Sequence, residues 1–464
     1  MNETIRALAE AIEDADVHFA SNYPGFHSNE LTARLNMAVT SVDEKTAYAY
    51  AWGCSLAGKR AVVSFKNVGL NDAADAFLGS IFIGCKAGLV LILFDDCDIQ
   101  HSQNRIDVHP YFDFYGGLWF EPRTVPEVYS LTKDAFSLSE RFQLPVVVRI
   151  DNILYNNGMV TSKWERTKQQ APCIPPICRQ KNASPFVAHP SQAHFQEAEL
   201  KRKNCEIADF IHELYAPWAE LESVPSEIIC TAKRSINAPG ALRIFTLPIP
   251  EKRLVELFRN TPEVSLTVYE HSASSYYRNR IAAALSNREI KSDLMSLNRG
   301  IRFVYHNKNY MESLFTLLAQ TEKAVVFGDL GSYTMDPGRT IEACLCFGAA
   351  CASGMGFAQA RPDYRTFVVV GDAAYFHSGQ VCLYEMIARK VNLTIFILEN
   401  EGAQGTGGQA IPGNLNAVDS EVNLYSYQYD KLSNEDLGRI VQNLPQTGVN
   451  VVILHTLQQE KQYE

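Results

Sequence analysis

A carboxylate and an amide close two apolar runs in the last third of the chain. Asp372 follows Val368-Val369-Val370-Gly371, and Asn400 follows the run from Leu393 to Leu398 with Glu399 between. Two parallel strands joined by a helix would set both residues at one carboxyl edge, where open α/β sheets bind ligands. One carboxylate, one amide oxygen and a nearby backbone carbonyl suit a hard cation that keeps phosphate oxygens and water as its other ligands, which describes Mg²⁺. The bland alternative is a βαβ unit in which Asp372 and Asn400 only cap and turn the chain. A second candidate is Glu44, within Val42-Asp43-Glu44-Lys45. Alone it reads as a surface carboxylate at a helix start. Among the histidines, His27, His101 and His377 stand beside turn or polar motifs, and imidazole titrates near neutrality.

Strands alternating with helices position these groups. Val17 to Ala20, Arg60 to Phe65, Gly88 to Phe94 and Leu144 to Ile150 read as strands, with helices from near Ser28 and over Thr46 to Ala57. The all-apolar run from Gly88 is of the kind buried on both faces. Alternation over about 150 residues indicates a doubly wound parallel sheet. Pro172, Pro175 and Pro176 mark a connection, and Phe195 to Ala216 carries a helical pattern. Leu242 to Phe245, Leu254 to Phe258 and Val264 to Tyr269 alternate as strand, helix and strand. Lys323 to Phe327 opens a third sheet, Ile341 to Gly356 reads as a small-residue helix, and Val451 to Leu457 as the last strand.

The 464 residues suffice for two or three domains, and 46% apolar with 20% charged residues is the balance of a globular protein. A formal charge of −10 argues against a nucleic-acid or anionic-membrane surface. The eleven cysteines form no CxxC pair and no iron-sulfur spacing; Cys344, Cys346 and Cys351 read as small buried hydrophobes. With no signal-peptide pattern and no membrane-length apolar run, a reduced cytoplasmic location is the default expectation.

Taken in order, several blocks resemble the α subunit of indolepyruvate:ferredoxin oxidoreductases, within the thiamine-diphosphate (ThDP) 2-oxoacid enzymes. They are Tyr23-Pro24-Gly25, Val42 to Lys45, Val68 to Asn71 with Ala73 to Asp75, Ser102-Gln103-Asn104, Gly328 to Gly331 with Tyr333-Thr334, Phe376 to Gly379, and Gly371-Asp372-Ala373 through Asn400. The usual Gly-Asp-Gly has Ala373 in its third place. The resemblance implies a pyrimidine-binding domain over 1–165, a linker and reduced middle domain over 166–300, and a diphosphate-binding domain over 301–464. It makes Glu44 the carboxyl group on the aminopyrimidine ring, and Asp372, Asn400 and the Gly402 carbonyl the Mg²⁺ ligands. Tyr23, Pro24, Gly25, Asn71, Gly328, Asp329, Leu330, Gly348, Gly371 and Ala373 fall on cofactor-binding positions, and Phe347 under the bend of the cofactor. His27, His101 and His377 become candidate proton donors. It further implies a homodimer with the site at the subunit interface and a small 2-oxoacid substrate.

The chain also departs from that pattern. It has no four-cysteine cluster spacing, Ser332 stands where the family tends to have cysteine, and Asn67 where it tends to have histidine. The expectation is a non-oxidative ThDP- and Mg²⁺-dependent 2-oxoacid decarboxylase or carboligase without an iron-sulfur cluster. An aryl pyruvate is the candidate donor, an aldehyde or acyloin the product, and specialised biosynthesis a candidate setting. The alternatives are an oxidoreductase subunit whose clusters come from a partner, and a non-catalytic ThDP-fold binding protein.

Overall fold

The computed structural model describes residues 2–25, 27–97, 106–157, 163–179, 184–221, 225–230, 241–259, 266–270, 274–285, 311–335, 338, 340–400, 415 and 421–456. Among them the strands are, in chain order, β1 (Phe19–Asn22), β2 (Ala38–Thr40), β3 (Ala61–Lys66), β4 (Leu89–Asp95), β5 (Leu118–Phe120), β6 (Val146–Asp151), β7 (Glu227–Cys230), β8 (Leu242–Arg243), β9 (Thr246–Leu247), β10 (Thr267–Glu270), β11 (Ala324–Gly328), β12 (Arg365–Gly371), β13 (Leu393–Glu399), β14 (Asn423–Gln428) and β15 (Val449–His455). They form a seven-stranded sheet in the order β2-β1-β3-β4-β6-β5-β9, a three-stranded sheet β10-β7-β8, and a five-stranded sheet β11-β12-β13-β15-β14. Every pairing is parallel except β5 with β9. This is the expected α/β architecture of two large, doubly wound parallel sheets with a smaller α/β unit between. β4 is buried along its whole length, as a strand covered on both faces must be.

Two segments differ from their sequence pattern. The strand expected over Leu242 to Phe245 ends at Arg243: β8 joins the small sheet, and β9, just beyond Phe245, turns back onto β5 of the first sheet. A buried charge network fixes that return. The Arg123 guanidinium donates to the Ile244 carbonyl at 3.1 Å and lies 3.3 Å from Glu121. Glu121 also takes Arg149 at 2.9 Å and His109 at 2.9 Å, so each buried charge has a partner. The second difference is Ile341 to Gly356, which is helical only from Ala350. Its first residues are extended because Cys344 exchanges backbone bonds with Phe186 and Ala188, and Gly348, at φ +80°, breaks the path into the helix.

Two helices join the first sheet to the third. The Glu44–Leu56 helix is buried on every side from Thr46 onward, which suits a helix covered by a sheet on one face and a second body on the other. That second body is the Ala350–Ala360 helix. Where they cross, a Cβ on Gly53 would lie 2.0 Å from the Ser353 carbonyl oxygen, and one on Gly356 would lie 2.0 Å from that of Tyr50. Backbone meets backbone at both points, and only glycine allows it. Around the crossing, Tyr50 Oη donates to Gln359 Oε1 at 2.9 Å and Cys54 Sγ to the Gly356 carbonyl at 3.2 Å. Gly53→Ala should cost about 1–3 kcal/mol of stability, read as a lowered thermal midpoint; a midpoint equal to that of the unsubstituted chain would refute the close crossing.

Candidate cofactor site

At the carboxyl edge of the third sheet, β12 and β13 run side by side with Gly371 level with Leu398. Asp372 and Asn400 therefore emerge together. The Asn400 N–H donates to Asp372 Oδ2 at 3.3 Å, and the Ala373 N–H to Asp372 Oδ1 at 2.7 Å. Asp372 is buried. Among the described residues no group of three His, Cys, Asp or Glu side chains could hold a metal ion. A cation bound by Asp372 and Asn400 would thus take its remaining ligands from phosphate, water or backbone, which fits a hard ion such as Mg²⁺. Gly402 lies outside the described residues.

On the next strand, β11 ends at Gly328 and delivers Asp329, which is fully buried. Its Oδ1 accepts from the N–H of Gly348 at 2.8 Å and of Leu330 at 2.9 Å, and its Oδ2 from that of Ala350 at 3.1 Å. Burial pushes this carboxyl up to about 6 against the pull of those N–H groups. The Asp329 carboxylate holds the start of the Ala350–Ala360 helix and the turn at Gly348. Leu330 is largely exposed. Gly371 donates its N–H to Tyr333 Oη at 3.1 Å.

The Gly348 turn abuts His377. A Cβ at Gly348 would lie 2.7 Å from Ser378 Oγ and 2.8 Å from His377 Nδ1. The His377 ring meets the Phe347 ring edge-on at 5.1 Å, and its Nδ1 lies 2.6 Å from Ser378 Oγ. His377 sits in the π-helical turn Tyr375–Gly379, a distortion that recurs at functional sites. Burial, then the charge of Lys45, lowers its pKa, with Asp75 opposing.

From the first sheet comes Glu44, the first residue of its helix, after Asp43 caps that helix by accepting from the Thr46 N–H at 2.6 Å. The Glu44 carboxyl lies against Gly69 at the start of the Gly69–Ile83 helix. Burial pushes its pKa up, opposed by its own backbone N–H and reinforced by Asp72 and Asp43. Lys45 spans the two halves: its Nζ donates to the Phe347 carbonyl at 2.8 Å and lies 3.7 Å from Asp75. Within this chain the helix crossing brings Lys45 to Phe347. Lys45 had no role in the sequence reading beyond its place in a motif, because nothing in the sequence places it against Phe347.

The other expected residues lie at the carboxyl edge of the first sheet. Tyr23 donates its N–H to the Ser64 carbonyl at 3.3 Å, and Gly25, after Pro24, donates its own to Asn29 Oδ1 at 3.2 Å. His27 is buried with φ +68°, its ring stacked on Tyr155 and tilted on Phe94. Asn71 accepts from Tyr111 Oη at 2.7 Å. His101 and Ser102-Gln103-Asn104 fall outside the described residues. No helix among those described is long and apolar enough to cross a membrane.

Residues 329–458, which hold Asp372 and Asn400, match the family model of the thiamine pyrophosphate enzyme C-terminal TPP binding domain. Solved structures share the fold over nearly the whole chain. The thiamine diphosphate-dependent 4-hydroxybenzoylformate decarboxylase of Rhodococcus jostii RHA1 aligns with a TM-score of 0.55 at 14% identity, covering 99% of this chain and 100% of that one. Benzoylformate decarboxylase from Polynucleobacter necessarius gives 0.52 at 11% identity, covering 99% and 100%. Residues 329–458 thus match a TPP-binding domain, within a fold shared with ThDP-dependent enzymes. Among curated proteins, indolepyruvate oxidoreductase subunit IorA of Pyrococcus horikoshii is 31% identical over 88% of this chain and 75% of its own length. The same subunit of Thermococcus kodakarensis is 24% identical over 88% and 75%. The chain belongs to the family of these indolepyruvate oxidoreductase subunits.

Because Lys45 and burial both hold His377 down, its imidazole should titrate below 6.5 in an NMR pH titration. Lys45→Met should move that titration upward; an unchanged midpoint would show that Lys45 does not face His377.

Proposed function

We propose that this chain is a ThDP- and Mg²⁺-dependent 2-oxoacid decarboxylase or carboligase of non-oxidative type, releasing CO₂ and yielding an aldehyde or an acyloin. The observation that carries this reading is the convergence of Glu44, Lys45, Phe347, Gly348 and His377 beside the edge that bears Asp372 and Asn400. When bound, ThDP supplies the electron sink for the carbon left by decarboxylation. Asp372 and Asn400 would hold Mg²⁺ at its diphosphate, and Phe347 with Gly348 would support its ring junction. Glu44, whose pKa burial raises, would share a proton with the aminopyrimidine. His377, neutral near pH 7, moves a proton at the mouth of the site. In this reading the three sheets correspond to a pyrimidine-binding domain, a small middle domain and a diphosphate-binding domain.

Support for the non-oxidative outcome comes from the cysteine spacing, which holds no four-cysteine iron-sulfur pattern in this sequence. Cys344, Cys346 and Cys351 are buried, and burial raises each well above the ordinary thiol range. Two solved structures that match this chain end to end bear decarboxylase names. The names of the IorA relatives favour a second reading, the catalytic subunit of a 2-oxoacid:ferredoxin oxidoreductase whose clusters lie on a partner.

Calorimetric titration with Mg²⁺-ThDP tests the site. Glu44→Gln should still bind, about tenfold more weakly, yet lose turnover by about 10²–10⁴-fold. Asp372→Ala should weaken binding by about an order of magnitude or more. Near-full turnover of the first variant, or unchanged affinity of the second, would overturn the assignments.

A further inference from the structure

The loop that delivers Glu44 is gripped from the opposite half of the molecule by a residue outside every motif. Glu385, on the Gln380–Ala388 helix, is buried, and its carboxylate faces the two residues before the Asp43 cap. Ser41 Oγ donates to Glu385 Oε1 at 2.9 Å, and the Val42 N–H donates to Oε2 at 3.0 Å. Arg389, one turn on, pairs with the same carboxylate and donates to Ser41 Oγ at 3.2 Å. Its guanidinium also lies 4.3 Å from the centre of the Tyr50 ring, on the Glu44 helix itself. Both charged side chains are only 4% exposed, so solvent screens neither the pair nor its bonds to the loop.

We propose that Glu385 is a positioning residue for Glu44, an inference that rests on the ThDP reading above. A carboxylate takes both donors at once, from the Ser41 hydroxyl and the Val42 amide, and so fixes the height and rotation of the backbone entering the helix. Asp43 then caps that helix, and Glu44 leaves its first turn in a single orientation. The Gln380–Ala388 helix follows the Asp372–Ala374 and Tyr375–Gly379 turns. One rigid segment therefore runs from the proposed cation ligand through His377 to the residue that sets Glu44. Placement errors near 1 Å can cost about 100-fold in rate, so this grip bears on chemistry as well as on folding.

A double-mutant cycle on ThDP affinity, measured by calorimetry with Mg²⁺, tests this without requiring turnover. Glu385→Gln keeps the volume but replaces one acceptor oxygen with a donor amide. It should weaken ThDP binding about tenfold in the otherwise unsubstituted chain and change it little in the E44Q background. The same loss in both backgrounds, or none in either, would overturn the proposal. Should Glu385→Gln melt at the assay temperature, Ser41→Ala, which keeps the Glu385–Arg389 pair, runs the same cycle with the same criterion. If the unsubstituted chain binds no ThDP, the functional reading itself falls; if it binds and only the cycle fails, Glu385 alone loses its role.

Discussion

Two carbonyl oxygens, those of Tyr50 and Ser353, occupy space that a side chain would take at Gly356 and Gly53. This contact of backbone on backbone lets a helix of the first sheet and a helix of the third share one layer. Their starts then come within reach of a lysine side chain: Lys45 meets the Phe347 carbonyl. A bulkier residue at either glycine would separate the helices and move Lys45 away from Phe347 and His377. The site depends on this crossing more than on any single ionisable group.

Burial at the crossing also sets the electrostatics. Asp329 is fully buried and Glu44 half-buried, and desolvation pushes both acids upward; the partial desolvation of His377, whose side chain stays exposed, pushes it downward. All three shifts favour the neutral form. That suits a site whose groups hand protons on and do not form lasting ion pairs. Asp329 differs in having its oxygens taken by backbone N–H groups, which makes it the organiser of the Gly348 turn.

Asp372 and Asn400 were legible in the sequence because each closes an apolar strand, and parallel strands set their ends on one edge. The strongly apolar β4, β12 and β13 were legible for the same reason. The helix boundary in Ile341 to Gly356 was not, since small residues suit a helix or a tightly packed extended segment, and pairing with Phe186 and Ala188 decided between them. β14 escaped because it is a polar edge strand, and β9 because its partner β5 is remote in sequence. Lys45 with Phe347 and Glu385 with Val42 are separated by 302 and 343 residues. No local pattern encodes such contacts; they exist only once both sheets have formed and the glycines let their helices meet.

The most direct measurement is CO₂ release by the purified chain from pyruvate, phenylpyruvate and indolepyruvate, with ThDP and Mg²⁺ and without an electron acceptor, followed by identification of the product. The site described here predicts CO₂ accompanied by an aldehyde or an acyloin. Release that begins only when ferredoxin and a partner subunit are added would contradict the non-oxidative reading and assign the chain to an electron-transferring complex.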